Sequence, residues 1–121
     1  MKISPKARMR GKTDALFFLK YTGERCEVCG SSNVGKAHHF YFKSDAEHLR
    51  YYPPNAVTLC MNCHSKLHHG GLRFEIEAMI IDAKGDEWFE DLKTEANVDM
   101  GNSWMTEDWF REQYNKLKKA F

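Results

Sequence analysis

Four cysteines and six histidines hold most of the chemistry open to this chain of 121 residues. Cys26 and Cys29 form one CxxC pair, and Cys60 and Cys63 form a second. Thiolates two residues apart across a tight turn converge on one ion, and four of them complete a closed tetrahedral zinc site. A redox dithiol needs only one pair set in a βαβ pattern, which the sequence lacks. Two disulfides would suit an oxidising compartment. The spacing therefore predicts a structural zinc on Cys26, Cys29, Cys60 and Cys63.

Thirty residues separate the two pairs, more than the roughly fifteen to twenty of a plain zinc ribbon. That excursion holds His38, His39 and Asn55. His64 and His68 follow the second pair one helical turn apart. On a helix both imidazoles project from one face and can reach a single cation. They are alternative ligands for the knuckle zinc, but four thiolates already close that site. The spacing favours a second, open metal site with room for water or phosphate.

Taken in order, "CEVC…HHF…N…LCMNCHSKLH" over about residues 26 to 69 resembles the HNH nuclease motif in its four-cysteine, zinc-stabilised form. The resemblance implies a ββα-metal fold and single-metal hydrolysis of DNA phosphodiesters. It puts His38 at the first metal-ligand position and His39 at the general-base position, with Asn55 between them and the helix. His64 and His68 match the metal-binding histidines of that helix. His39 would take a proton from the attacking water. The cation on His38, His64 and His68 would neutralise charge on the phosphate and the departing 3′ oxygen. Asn55 would orient the base or pin its loop, and the products would carry 5′-phosphate and 3′-hydroxyl ends. Adjacent strand residues face opposite ways, so His38 and His39 exchange roles if the register differs. A bulge near Gly35 would let both serve.

From Ala37 into the helical "FEIEAMIIDAKGDEWFEDL", the layout is similar to the Rap/NinG recombination nucleases of lambdoid bacteriophages. This implies branched recombination or repair intermediates as substrates, in the cytoplasm of a bacterial or phage-infected cell. The cation stays open among Mg2+, Mn2+, Ni2+ and Zn2+. So do sequence preference, nicking against double-strand cleavage, and oligomeric state, a homodimer included.

The elements that must position these groups read as α+β. Lys2, Lys6, Arg8, Arg10 and Lys12 make residues 1–13 a basic flexible arm. Residues 14–71 form the zinc-stabilised core: a leading helix capped by Thr13, a strand over 36–42, a loop around Pro53 and Pro54, a short strand at "AVTL", and a helix ended by Gly70 and Gly71. Residues 72–121 form a helical extension packed on the core, its last helix capped by Thr106 and lined by Phe110, Tyr114, Leu117 and Phe121.

Residues 1–70 carry eleven Lys/Arg against five Asp/Glu, and residues 71–121 carry seven against twelve. A basic front half suits a polyanionic partner. Lys36, Lys43, Arg50 and Lys66 flank the motif as candidate DNA-backbone contacts. Tyr51 and Tyr52 are candidates for stacking on an unpaired base, though packing in the loop is the simpler use. His48 reads as an exposed loop residue and His69 as a reserve ligand. No apolar run is long enough for a membrane span, and the N-terminus lacks a signal-peptide core. Two other classes compete: a non-catalytic zinc-stabilised nucleic-acid-binding module, and a protein–protein adaptor using the acidic helices. Either needs one ion, whereas a nuclease needs a tight zinc and a weaker cation.

Overall fold

The computed structural model describes residues 2–42, 46–69 and 71–119. Among them lie five α-helices, two single-turn 3-10 helices and one two-stranded sheet, so the chain is α+β. In order the α-helices and strands are α1 (Pro5–Tyr21), β1 (His38–His39), β2 (Ala56–Val57), α2 (Met61–His68), α3 (Arg73–Lys84), α4 (Asp86–Ala96) and α5 (Glu107–Lys119). They divide into two compact units, residues 22–98 and residues 1–21 with 99–121.

The sheet of the first unit is short for identifiable reasons. β1 and β2 run antiparallel, with His38 opposite Val57 and His39 opposite Ala56. Phe40 N–H continues the pairing to Asn55 O at 2.8 Å. The next partner in this register is Pro54, which has no N–H to give. On the other side, Val34 bridges Cys60. Residues 35–37 therefore oppose only 58–59, a one-residue excess upstream of the histidine doublet. The groups this frees find other partners: Ala37 N–H donates to Thr22 Oγ1 at 2.8 Å. Thr58 pairs with Glu27, whose N–H donates to Thr58 O at 2.9 Å and whose Oε2 accepts from Thr58 N–H at 2.6 Å. The strand expected over 36–42 thus shrinks to two ladder residues, and the bulge lies beside Gly35.

Leu49, Val57, Leu59 and Leu67 form the centre of this unit's core together with Ile76 and Ile80 of α3 and Leu92 of α4. Phe40 meets Trp88 and Phe89 edge-on, at centroid distances of 5.1 and 5.9 Å. Trp88 Nε1–H donates to Pro54 O at 2.8 Å. Gly85, at φ +103°, makes the left-handed turn between α3 and α4 that a side chain would strain. Lys84 pairs with Glu27, tying α3 to the first cysteine knuckle.

The second unit pairs α1 with α5. Met9, Thr13 and Phe17 make the buried stripe of α1, and Phe110 and Leu117 that of α5. Two expectations change here. The basic segment is helical from Pro5 onward: Ser4 Oγ accepts from Ala7 N–H at 3.1 Å, with proline at the first helical position. Thr13 is consequently interior, and its hydroxyl donates to Met9 O at 2.6 Å rather than capping a helix. Thr106 does cap α5, accepting from Trp109 N–H at 3.1 Å. Phe121 lies outside the described residues. The division also falls at 98/99 instead of 71/72, because α3 and α4 supply core to residues 22–98 while α1 and α5 bury each other. No helix among the described residues is long and apolar enough to cross a membrane.

Ile80 is fully buried, so Ile80→Ala should destabilise residues 22–98 by about 2–5 kcal/mol. Urea denaturation with zinc present, followed by Trp88-sensitive fluorescence, measures this. An unshifted midpoint would place Ile80 outside the core.

Candidate metal centre

Both cysteine knuckles are built by local hydrogen bonds to sulfur. In the first, Cys29 N–H points to Cys26 Sγ at 3.5 Å, and Gly30 at φ +79° turns its N–H back to Cys26 O at 2.9 Å. In the second, Cys60 is the N-cap of α2, and its sulfur accepts from Cys63 N–H at 3.4 Å. The Val34–Cys60 bridge and the Glu27–Thr58 bonds bring the knuckles together. All four sulfurs then lie within 4.8 Å of one another. Cys29 Sγ is 3.6 Å from Cys60 Sγ and 3.9 Å from Cys63 Sγ. Tetrahedral zinc–thiolate geometry places sulfurs about 3.8 Å apart, whereas a disulfide needs roughly 2.05 Å. All four cysteines are free thiols positioned to bind a structural zinc.

The thiols differ in readiness to ionise. Burial acts to raise the Cys26 pKa, but N–H groups of Cys29, Cys60 and Val28 outweigh it and hold the thiol down to about 6. Burial pushes Cys63 up, helped by its thiol neighbours Cys60 and Cys26. A divalent ion reverses that penalty by binding the thiolate directly.

The second cluster grows out of the same helix. α2 carries Cys63 toward the sulfurs, and the next residue is turned by about 100°, which aims His64 and, one turn later, His68 elsewhere. His38 of β1 joins them. The ring centroids are 5.3 Å apart for His38–His64, 4.9 Å for His38–His68 and 4.6 Å for His64–His68. One nitrogen from each lies within 4.8 Å of the others. His38 Nε2 is buried and has no hydrogen-bond partner among the described residues. A buried polar nitrogen left unpaired is destabilising, and a cation would satisfy it. Burial foremost, then neighbouring His68 and His64, hold the His38 pKa down to about 3. Burial and His64 also lower His68. Neutral imidazoles are the form that binds metal, so the residues present fit a divalent ion.

His39 takes a separate course. Its Nε2 lies 2.8 Å from Arg50 O in a buried setting. A carbonyl only accepts, so Nε2 carries the proton and Nδ1 is the basic nitrogen of the neutral ring. His38, His39, Phe42 and His68 together line a recess of about 190 Å³. Asn55, which is fully buried, braces the chain just before Arg50. Asn55 Oδ1 accepts from Tyr41 N–H at 2.8 Å, and Nδ2 donates to Tyr41 O at 3.1 Å and Leu49 O at 3.3 Å. Asn55 thereby clamps both ends of the segment from Tyr41 to Leu49. Leu49 immediately precedes the residue that bonds His39.

Residues 26–70 match the family model for HNH endonuclease. No curated protein and no solved structure matches the chain. The HNH family suggests a nuclease and implies a nucleic-acid substrate, and the cysteine cluster within the matched residues fits its zinc-stabilised form.

Around the HNH segment the remaining candidates separate. Lys36 and Lys66 are exposed. Lys43 lies outside the described residues. Arg50 corrects the expectation of a backbone contact: its side chain is only 9% exposed and lies over Tyr51, and what it offers the site is its carbonyl. Tyr51 is buried as well, which suits packing and not base stacking. His48 is half-buried, not exposed, because its Nε2–H donates to Glu95 O at 2.7 Å near the end of α4. His69 sits beside His68, its ring 6.1 Å away, and is not one of the three converging histidines. Sequence reading passed over Phe42 and Arg73. Phe42 stacks on His68 at 5.3 Å, and the Arg73 guanidinium lies 4.3 Å from the Phe42 centroid. An aromatic three residues past the doublet and a cation opening the next helix were the available signals.

Two outcomes test this geometry. Cys63→Ser should abolish cooperative folding of residues 22–98, since structural zinc contributes on the order of 10 kcal/mol in small zinc domains; a native-like circular dichroism melt in the variant contradicts it. Asn55→Ala should weaken the clamp by about 1–3 kcal/mol while zinc content stays at one equivalent. An unchanged melting temperature for that variant would count against the clamp.

Proposed function

We propose that this protein is a metal-dependent DNA endonuclease that hydrolyses phosphodiester bonds. The observation that carries the reading is a buried His38 nitrogen, unpartnered among the described residues, converging with His64 and His68 beside a histidine whose Nε2 meets a carbonyl. His38, His64 and His68 would hold one divalent cation, drawn from Mg2+, Mn2+, Ni2+ or Zn2+. When bound, such an ion supplies charge neutralisation at the phosphate and at the departing 3′ oxygen.

The chain's own residues supply the rest. His39 would accept a proton from the attacking water at Nδ1. The positive charge that forms on its ring is stabilised by the Arg50 carbonyl across the 2.8 Å bond to Nε2. The ring cannot turn away without breaking that bond, which orients the basic nitrogen before substrate arrives. Asn55 acts one step removed, by bracing the chain just before the residue that presents the carbonyl. The zinc knuckles hold β1 and α2 in place and take no part in the proton's path. Products with 5′-phosphate and 3′-hydroxyl ends follow from in-line departure of the 3′ oxygen.

Within this class we place branched recombination or repair intermediates first among substrates, on the sequence's resemblance in layout to phage recombination nucleases. Four free thiols suit the reducing cytoplasm of a bacterial or phage-infected cell. Exposed Lys36 and Lys66 supply phosphate-neutralising charge near the site.

Linear, nicked and four-way DNA incubated across a panel of divalent ions tests the reading. The wild-type chain should cleave with at least one ion. His39→Ala should retain zinc and fold yet lose roughly 10²- to 10⁴-fold in turnover. Undiminished cleavage by that variant, or one bound ion per chain under every condition, overturns the proposal. The one-ion result would favour a non-catalytic zinc module that binds nucleic acid.

A further inference from the structure

A second recess opens in the same unit as the histidine pocket. It has a volume of about 390 Å³ and is lined by Phe40, Tyr41, Phe74, Phe89, Arg73 and Glu77, among others. That volume falls in the roughly 300–1,000 Å³ range of small-ligand sites.

Two connections join it to the histidines. Phe40 and Tyr41 are the residues that follow His39 out of β1. Arg73 forms part of the recess wall while lying 4.3 Å from the Phe42 ring centroid. Phe42 in turn stacks on His68 with an interplanar angle of 29° and meets His38 edge-on at 5.4 Å. One aromatic ring thus separates a guanidinium from the converging imidazoles. Glu77 Oε1 accepts from Arg73 Nε at 3.0 Å, which fixes the direction of the guanidinium.

The walls favour a flat ring. Phe40 and Phe89 pack edge-to-face, and Phe74 at the opening is 81% exposed. An aromatic side chain so exposed beside a cavity is a stacking platform for a partner with a π face. Every nucleobase has one, whatever its sequence. Glu77 and the Tyr41 hydroxyl supply an acceptor and a mixed donor–acceptor for base edges. Arg73 supplies the charge-assisted hydrogen bonds that recognise phosphate.

We infer that this recess receives one unstacked nucleobase of the strand being cut, with Arg73 on an adjoining phosphate. The inference rests on the nuclease reading and narrows its substrate to DNA with unpaired nucleotides: single strands, gaps and branch points. A base within an intact duplex is stacked on both faces and does not enter. Arg73 is here a binding and positioning residue, not a catalytic one.

The test uses the zinc-loaded full chain and fluorescein-labelled single-stranded, four-way and blunt duplex DNA, followed by anisotropy without further divalent ion. Phe74→Ala changes an exposed side chain, so folding is not at issue. It should weaken binding of single-stranded and four-way DNA roughly ten-fold and leave blunt duplex binding unaltered. Arg73→Ala should weaken binding to all three and lower the slope of log affinity against log salt by about 1. Equal losses on blunt duplex, or no loss with Phe74→Ala, overturn the inference. Failure of the wild-type chain to bind unpaired DNA overturns it too and leaves the recess to a protein segment. Binding as expected, with no cleavage under any cation, removes the nuclease reading and keeps the recess. Cleavage that ignores Phe74→Ala on every substrate does the reverse.

Discussion

The sulfurs of Cys29, Cys60 and Cys63 stand 3.6 and 3.9 Å apart, near the separation that a shared tetrahedral ion requires. Without such an ion, ionised thiolates this close repel one another, and burial already holds Cys63 protonated. With it, they fasten the chain at residue 26 to the chain at residue 63. Residues 22–98 need that fastening. Their sheet has two ladder residues per strand, and a pairing so short is marginal by itself. The dominant restraint on β1 and α2 is therefore outside the sheet, at the knuckles on their flanks.

That arrangement separates stability from chemistry along one helix. α2 begins on a zinc-ligating sulfur, buries Cys63 and Leu67, and turns His64 and His68 away toward His38. A single rigid element thus registers the cysteine cluster and the histidine cluster against each other. The histidine side is left incompletely satisfied: the His38 nitrogen is buried without a partner among the described residues, and its ring is held neutral well into the acid range. Such a group is a liability to folding and an asset to binding, and the knuckle and the core from Leu49 to Leu92 offset it.

The second support is polar. Asn55 makes three hydrogen bonds through its side-chain amide, to Tyr41 and Leu49, and its backbone carbonyl accepts a fourth from Phe40 N–H. It must be an amide, because the clamp asks for an acceptor and a two-proton donor at one buried point. An aspartate would offer no donor and carry a charge into a fully buried site. Arg50, the next residue after that segment, presents the carbonyl that His39 Nε2 bonds, so Asn55 braces the backbone beside it.

Much of this is legible in the amino-acid sequence. Two CxxC pairs announce a four-sulfur site because ligand geometry leaves few other uses for them, and His64 and His68 share a face because helical periodicity demands it. The α3 and α4 helices, and the Thr106 cap, were equally open, being local matters of spacing and capping. What local pattern could not decide was which distant groups meet. Whether His38 or His39 joins the helix depended on pairing register and on a one-residue excess at 35–37, set by Glu27 and Thr22 from outside the strand. The basic N-terminal segment became helix because α5 buried its Met9–Thr13–Phe17 stripe, a partner 97 residues from Thr13 in the chain. Arg50 reads as a phosphate ligand by charge alone, but its side chain is buried and its backbone carbonyl accepts from His39 Nε2–H. Composition and spacing determine ligand type; only tertiary packing determines which face, which tautomer and which neighbour, because those depend on contacts that no stretch of chain contains by itself.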